Sequence, residues 1–316
     1  MAEARLPART AHRQRPRRAR AGGSGGGPPK IGWAFVSPAI IVLLLLNTFP
    51  LLFAIALSLS HVSTDTGLSF EGFTLDNWSI LLKDAGFWRS LEFTVLFTVV
   101  AVALEYGIGF GLALLLWHEL PGGGFFRVLF AIPMMLAPVA IGFMWRMLYD
   151  QSYGPVDAVL RALHLGAPPW LSSTGWSFPA VVIMDVWEWT PLLFLLLLAG
   201  LQAIPEDALE AARLDGATGA QVVFRVVFPI VLPISVMAIF LRLIDSFGVF
   251  GQIFLLTGGG PGNATTSTTL FAFFQGFQTF NISYGATISL ALLVFALLVA
   301  TVYLGVTRRV LRRVEA

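Results

Sequence analysis

Asp185 and Glu188 stand three residues apart in "DVWEWTPL", with Trp187 and Trp189 beside them and Pro191 closing the turn. That spacing puts both carboxylates on one face of a helix. Carboxylates orient hydroxyl groups and an aromatic ring packs on the CH face of a sugar, so the patch suits a neutral, hydroxyl-rich solute. The same tryptophans could equally face lipid. Further along, Arg242 and Asp245 are also three apart, a spacing that allows an ion pair within one helix. Charged side chains in apolar surroundings otherwise mark a polar path, and Asp185, Trp187, Glu188 and Asp245 are the expected solute-path residues.

Other chemistry finds few residues to carry it. The chain has no cysteine, and its histidines (His12, His61, His118 and His164) are scattered without an HExxH pair. No catalytic residue and no metal ligand is therefore assigned. The only lysines are Lys30, followed by Ile31, and Lys83, followed by Asp84. A phosphate-binding P-loop needs Gly-Lys-Ser/Thr, so the chain has none. "TGGGPG" is glycine-rich but lacks a lysine, and reads as a turn or docking loop.

The elements that must position these residues are apolar helices. Of 316 residues 56% are hydrophobic and only 12% charged, against about 25% charged in soluble domains. About 20 apolar residues cross a bilayer as a helix. Six stretches qualify: 33–60, 90–117, 125–149, 176–200, 222–256 and 284–306. The fifth is too long for one untilted span. The expected class is an all-α membrane protein with six transmembrane helices. The first span is about twice as long as a signal-peptide core and no A-x-A-like site follows it, so it reads as a retained anchor.

Basic residues orient the bundle. Seven arginines lie in the first twenty residues and "RRVLRRVEA" closes the chain. With the N-terminus in the cytoplasm, Lys30, Arg127, Arg213 and Arg225 also fall inside, leaving Lys83, Arg89 and Arg161 outside. This bias favours both termini in the cytoplasm. A Gly/Pro spacer and a span follow the arginine-rich start, which favours a topogenic role over nucleic-acid binding. The expected layout is a disordered basic tail at 1–30, a transmembrane domain at 31–307 and a basic C-terminus at 308–316. Tryptophans 33, 78, 88, 117, 170 and 176 fall near expected span ends, as interfacial belts do.

One polar elbow, 202–221, interrupts the apolar pattern before the fifth span. Pro205 suits the first turn of a helix, Glu206 and Asp207 complement its positive end, and Arg213 its negative end. Gly216 falls where a left-handed residue stops a helix, and Thr218 with Gln221 spells a capping box that starts another. Ala208, Ala211 and Ala212 leave a face bare enough for close approach of another backbone, though alanine is also simply the best helix former.

The elbow resembles the EAA loop of ABC-importer permeases: Glu210-Ala211-Ala212, Gly216, Val226 and Phe228-Pro229 fill the motif, with Phe228 where leucine is usual. Asp215-Gly216-Ala217 is similar to the "DGA" of the carbohydrate-importer subunits, and the likeness runs from about Trp33 to Leu304. The resemblance implies the type I importer permease fold in a bacterial or archaeal cytoplasmic membrane. It also implies that Glu210, Ala211, Ala212, Asp215, Gly216 and Ala217 form a coupling helix seated on an ATPase. The implied partners are a second, similar permease, a dimer of ATP-binding subunits that carries the ATP and magnesium, and an extracytoplasmic solute-binding protein. No cofactor is expected on this chain. A self-sufficient secondary transporter or channel, with Glu105, Asp185 and Asp245 as coupling carboxylates, is the competing class; it has no partner for the elbow. An integral-membrane enzyme lacks any paired catalytic motif.

Overall fold

Proline and glycine decide where the long apolar stretches bend. The computed structural model describes residues 30–63, 69–117 and 123–314. The chain divides into two units, residues 1–50 and 51–316. In the first, α1 (Lys30–Leu43) runs into a π-helical turn at Leu44–Thr48. A second π turn, Val223–Val227, has the same setting: each lies just before a Phe-Pro pair, Phe49-Pro50 or Phe228-Pro229. A proline offers no N–H to the preceding turn, and a widened turn accommodates the gap. The basic tail expected at 1–30 lies outside the described residues, Lys30 excepted.

The second unit begins in α2 (Phe49–Ser58) and passes through a hairpin of β1 (His61–Ser63) and β2 (Ser69–Glu71), paired antiparallel with Val62 opposite Phe70. Short α3 (Asp76–Lys83) leads into α4 (Ala85–Leu115), whose N-cap Asp84 accepts from Gly86 N at 2.7 Å. The remaining long helices are α8 (Thr174–Gln202), the helical run from Gly219 to Phe247 and α14 (Ile282–Val314). With Phe35–Ser58 and Ala85–Leu115 they make five helices long and apolar enough to cross a membrane.

The third expected span is not continuous. It divides into α5 (Gly123–Ala131), a 3-10 turn at Pro133–Met135 and α6 (Pro138–Leu148). Ala137 is extended at φ −68°, ψ 136°, the conformation that a following proline favours. The fifth is also shorter than its apolar run. Within it α10 (Gly219–Val222) and the π turn lead to α11 (Phe228–Phe247), which stops at Gly248, and α12 (Gly251–Leu256) starts afresh. Helix α14 runs on past residue 307 to Val314, so Arg308 and Arg309 are helical. Trp170, expected near a span end, packs against α7 (Pro155–Ala162). It is buried, donates to Asp157 Oδ1 at 2.9 Å and stacks on Tyr149 at 4.9 Å.

Helices α4 and α8 run parallel. Phe93 meets Phe178 near their starts at 5.9 Å, and a methyl on Gly109 would stand 3.1 Å from the backbone N of Phe194 further along. Helix α11 runs against them, with Arg242 beside Asp185 and Val231 beside Gly200. One end of the bundle therefore holds the starts of α4 and α8 and the 257–268 loop, whose Thr268 N donates to Thr94 Oγ1 at 2.9 Å. The 203–221 elbow lies at the other end. Small residues set the spacing: a methyl on Gly142 would lie 3.1 Å from Gln252 Cα, so α6 touches the backbone of α12.

That contact yields a test. Gly142→Val forces backbone apart, and overpacking of this kind costs about 1–3 kcal/mol. Gly111, which has nothing within 4 Å of an added methyl, is the control. Thermal unfolding in detergent should show a clearly lower midpoint for Gly142→Val and little change for Gly111→Val.

Candidate functional site: a buried charge cluster and an exposed elbow

Arg242 is 1% exposed and is the largest fully buried side chain among the described residues. A charge taken from water is tolerated only where partners surround it. Three carboxylates from three helices do so here. Glu105 on α4 approaches Arg242 Nε at 2.8 Å through Oε2 and accepts from Nη2 at 3.0 Å through Oε1. Asp185 on α8 also accepts from Nη2. Asp245, on α11 itself, accepts from Nη1 at 2.9 Å. Trp189 supplies its ring face, 4.8 Å from the guanidinium carbon. A planar fork of five donors with a π-stacking face is the side chain suited to this geometry; lysine is not.

The expected path residues are therefore separated. Asp185 is 1% exposed and paired, whereas the Asp245 side chain is 53% exposed and offers a free edge. Glu188 is buried and is held by Gln252 Nε2, at 3.2 and 3.0 Å from its two oxygens. Beside the cluster lies a cavity of about 200 Å³, lined in part by Asp185, Trp189, Arg242, Asp245, Ser246 and Gln252. Trp187 points elsewhere. It lines a separate apolar cavity of about 740 Å³ and meets Trp145 edge-on at 5.7 Å. Trp189, not Trp187, is the aromatic in contact with the charges. Sequence reasoning paired Arg242 with Asp245 alone and missed Gln252, whose one signal was an isolated amide in the apolar run "FGQIFLL".

At the opposite end the elbow forms as its caps dictate. Helix α9 (Glu206–Leu214) starts one residue after Pro205, which occupies the N-cap at ψ 133° rather than the first turn. Gly216 is left-handed at φ 77°. Gly216 N donates to Arg213 O and Ala217 N to Ala212 O, both at 3.0 Å, the two bonds of a Schellman stop. Thr218 then opens α10: its backbone N–H donates to Gln221 Oε1 at 2.8 Å, and its hydroxyl accepts from Gln221 N at 3.4 Å. No residue of α9 is buried, and Leu214 is 89% exposed. Glu210, Ala211, Asp215 and Gly216 are exposed too, while Ala212 and Ala217 are half-buried.

Charged groups lining a cavity among long apolar helices, with a capped and exposed helix at the end of the bundle, fit a polytopic transport protein. The family of inner membrane components of binding-protein-dependent transport systems matches residues 105–316, and the chain belongs to that family. A probable ABC transporter permease, y4oQ of Sinorhizobium fredii, is 38% identical over 267 residues, covering 84% of this chain and 86% of that protein. The trehalose/maltose transport system permease MalF of Thermococcus litoralis is 37% identical over 280 residues, 88% of this chain and 94% of that one. The crystal structure of a bacterial ABC transporter that imports the acidic polysaccharide alginate shares the fold. Its TM-score is 0.78 at 19% identity, over 89% of this chain and 96% of that one.

Removing one member of a buried ion cluster leaves the others uncompensated, at a cost of about 3–5 kcal/mol. Arg242→Met should therefore yield protein that aggregates or unfolds early in detergent. Adding Glu105→Gln and Asp185→Asn should restore much of the lost thermal stability. A destabilisation that the triple variant leaves unrelieved would show that Arg242 acts through packing rather than charge.

Proposed function

We propose that this chain is the membrane-spanning permease subunit of an ATP-driven ABC importer for a sugar, polyol or related carbohydrate solute. Family membership and the trehalose/maltose permease among its relatives support the reading. The observation that carries it is the elbow: a nine-residue helix with no buried residue, held in one orientation by a Schellman stop and a capping box. A transporter that needed no partner would have no use for it. In this reading Glu210 to Ala217 seat on an ATP-binding subunit, one of a dimer that binds ATP and magnesium. A second homologous permease completes the bundle, and an extracytoplasmic binding protein delivers the solute. The chain contains no P-loop of its own, so hydrolysis falls to those partners.

The five long helices together with the broken α5–α6 pair make six crossings, with both termini and the elbow in the cytoplasm and the 257–268 loop outside. The solute passes the charged cavity, where the free edge of Asp245 accepts hydroxyl hydrogen bonds and Asp185 lines the wall while holding the Arg242 guanidinium. Glu188 acts there through Gln252, and Trp189 is the ring beside them; Trp187 faces the apolar side.

Two experiments test this. The chain has no native cysteine, so Glu315→Cys and Leu165→Cys can be labelled cleanly. A membrane-impermeant maleimide on intact cells should modify position 165 and leave 315 unlabelled; the reverse pattern overturns the orientation. Gly216→Val meets no steric neighbour, but its left-handed backbone costs about 1–2 kcal/mol with a side chain present. The variant should insert normally yet lose uptake and ATPase association. Solute-stimulated ATP hydrolysis at the wild-type rate would remove the coupling role.

A further inference from the structure

A second polar cleft lies at the end of the bundle opposite the elbow, where α4 and α8 begin. Its volume is about 560 Å³, within the range of small-molecule sites. Phe93, Phe178 and Phe274 form apolar walls inside it. Phe93 is 7% exposed, and Phe178 stands edge-on to it, so the walls are fixed by packing. Arg89 and Glu92 fall on the same face of α4 as Phe93, Asn263 projects from the 257–268 loop, and Gln275 comes from the turn after α13 (Thr268–Phe273). The opposite charges of Arg89 and Glu92 leave the rim neutral.

The loop wall is preorganised. Its hydroxyls bond within the protein: Thr265 Oγ1 to Gly260 O at 2.8 Å, Thr266 Oγ1 to Gly259 O at 3.1 Å and Ser267 Oγ to Val249 O at 2.9 Å. Thr265 to Thr268 are consequently buried, and the left-handed Asn263, φ 66°, is presented at the rim. On the other wall Gln275 lies in a π-helical turn, Phe274–Gln278, a widening frequent at functional sites.

Aromatic walls with a carboxylate, a guanidinium and two amides around a neutral rim are the chemistry that holds a pyranose: rings take the CH faces and the polar groups take the hydroxyls. We propose that this cleft is an outer receiving subsite for a neutral, hydroxyl-bearing sugar ring, distinct from the charged cavity further in. The inference rests on the carbohydrate-importer reading and on the orientation given with it. The two sites share one apolar cluster. Phe93, Phe178 and Phe274 belong to it, as do Val249 and Phe250, which line the inner cavity. A sugar released at the outer surface meets the Phe-walled cleft first and the Asp185–Arg242 cavity second.

The test uses the complete importer, with partner permease, ATPases and binding protein, in proteoliposomes. Wild-type complex is first assayed for ATP-driven uptake of trehalose, maltose and glucose. Uptake of none of them overturns this inference, and the wider carbohydrate reading falls with it if polyols and glycosides are not taken up either. With the sugar that is taken up, Glu92→Ala/Gln275→Ala is compared with wild type for uptake per ATP hydrolysed, for capture of the sugar-loaded binding protein and for thermal unfolding. Loss of one or two hydrogen bonds to the sugar predicts about a tenfold fall in uptake per ATP, with capture and unfolding unchanged. Unchanged uptake per ATP overturns the subsite alone. Weakened capture of the binding protein also overturns it, and makes the cleft a protein-docking surface.

Discussion

The guanidinium of Arg242 is the interaction on which the interior depends. It lies among apolar helices, where a lone charge would be far too costly, and it is held by carboxylates from α4, α8 and α11 at once. Those three helices otherwise meet through aliphatic and aromatic surfaces, which fix distance but tolerate sliding. A planar fork with directed donors does not tolerate it. The cluster therefore sets the rotation and axial position of three helices relative to one another. Tyr106, which donates to Ser235 Oγ at 2.9 Å, adds a second polar link between α4 and α11 about two turns along α11.

The same cluster shapes the chemistry of the cavity beside it. Three carboxylates converge on one guanidinium, and a fourth, Glu188, is held only by the Gln252 amide. Of these, Asp185 and Asp245 line the cavity, and its one buried cation, Arg242, is already engaged. Hydroxyl donors fit such a lining better than phosphate or sulfonate, which need a cation free to receive them. Breaks in the helices make room for it. Pro138 at the start of α6 and the Gly248–Phe250 break before α12 both border the cavity. Irregular backbone at membrane depth is tolerated where it lines protein or a polar space instead of lipid.

The two ends of the bundle are built by opposite means. The elbow is local: Gly216, Thr218 and Gln221 close it with contacts no more than five residues apart. An element so made keeps its shape while its exposed face stays free for a partner. The 257–268 loop is tied to other parts of the fold, to Val249 and to Thr94, and its Thr265 to Thr268 are buried.

Sequence alone determined whatever depends on neighbours along the chain or on solvent. Apolar length marked the five long helices, and cap chemistry placed Gly216 and the Thr218–Gln221 box at the ends of α9 and α10. Two breaks were written in "IPMMLAP" and "SFGVFG", yet apolar length hid them, because hydropathy does not register a missing N–H or a flexible glycine. Only the tertiary structure decided the partners of the buried charges. The three-residue spacing of Arg242 and Asp245 announced one ion pair, and that pair exists. Nothing local links Arg242 to Glu105, 137 residues away, or to Asp185, 57 away. Their meeting follows from parallel packing of α4 on α8 and the antiparallel return of α11. The spacing that put Asp185 and Glu188 on one face was equally silent on what each would meet. Helix rotation, set by packing and by the fork of one arginine, sent Asp185 to the guanidinium, Glu188 to Gln252 and Trp187 to the far side.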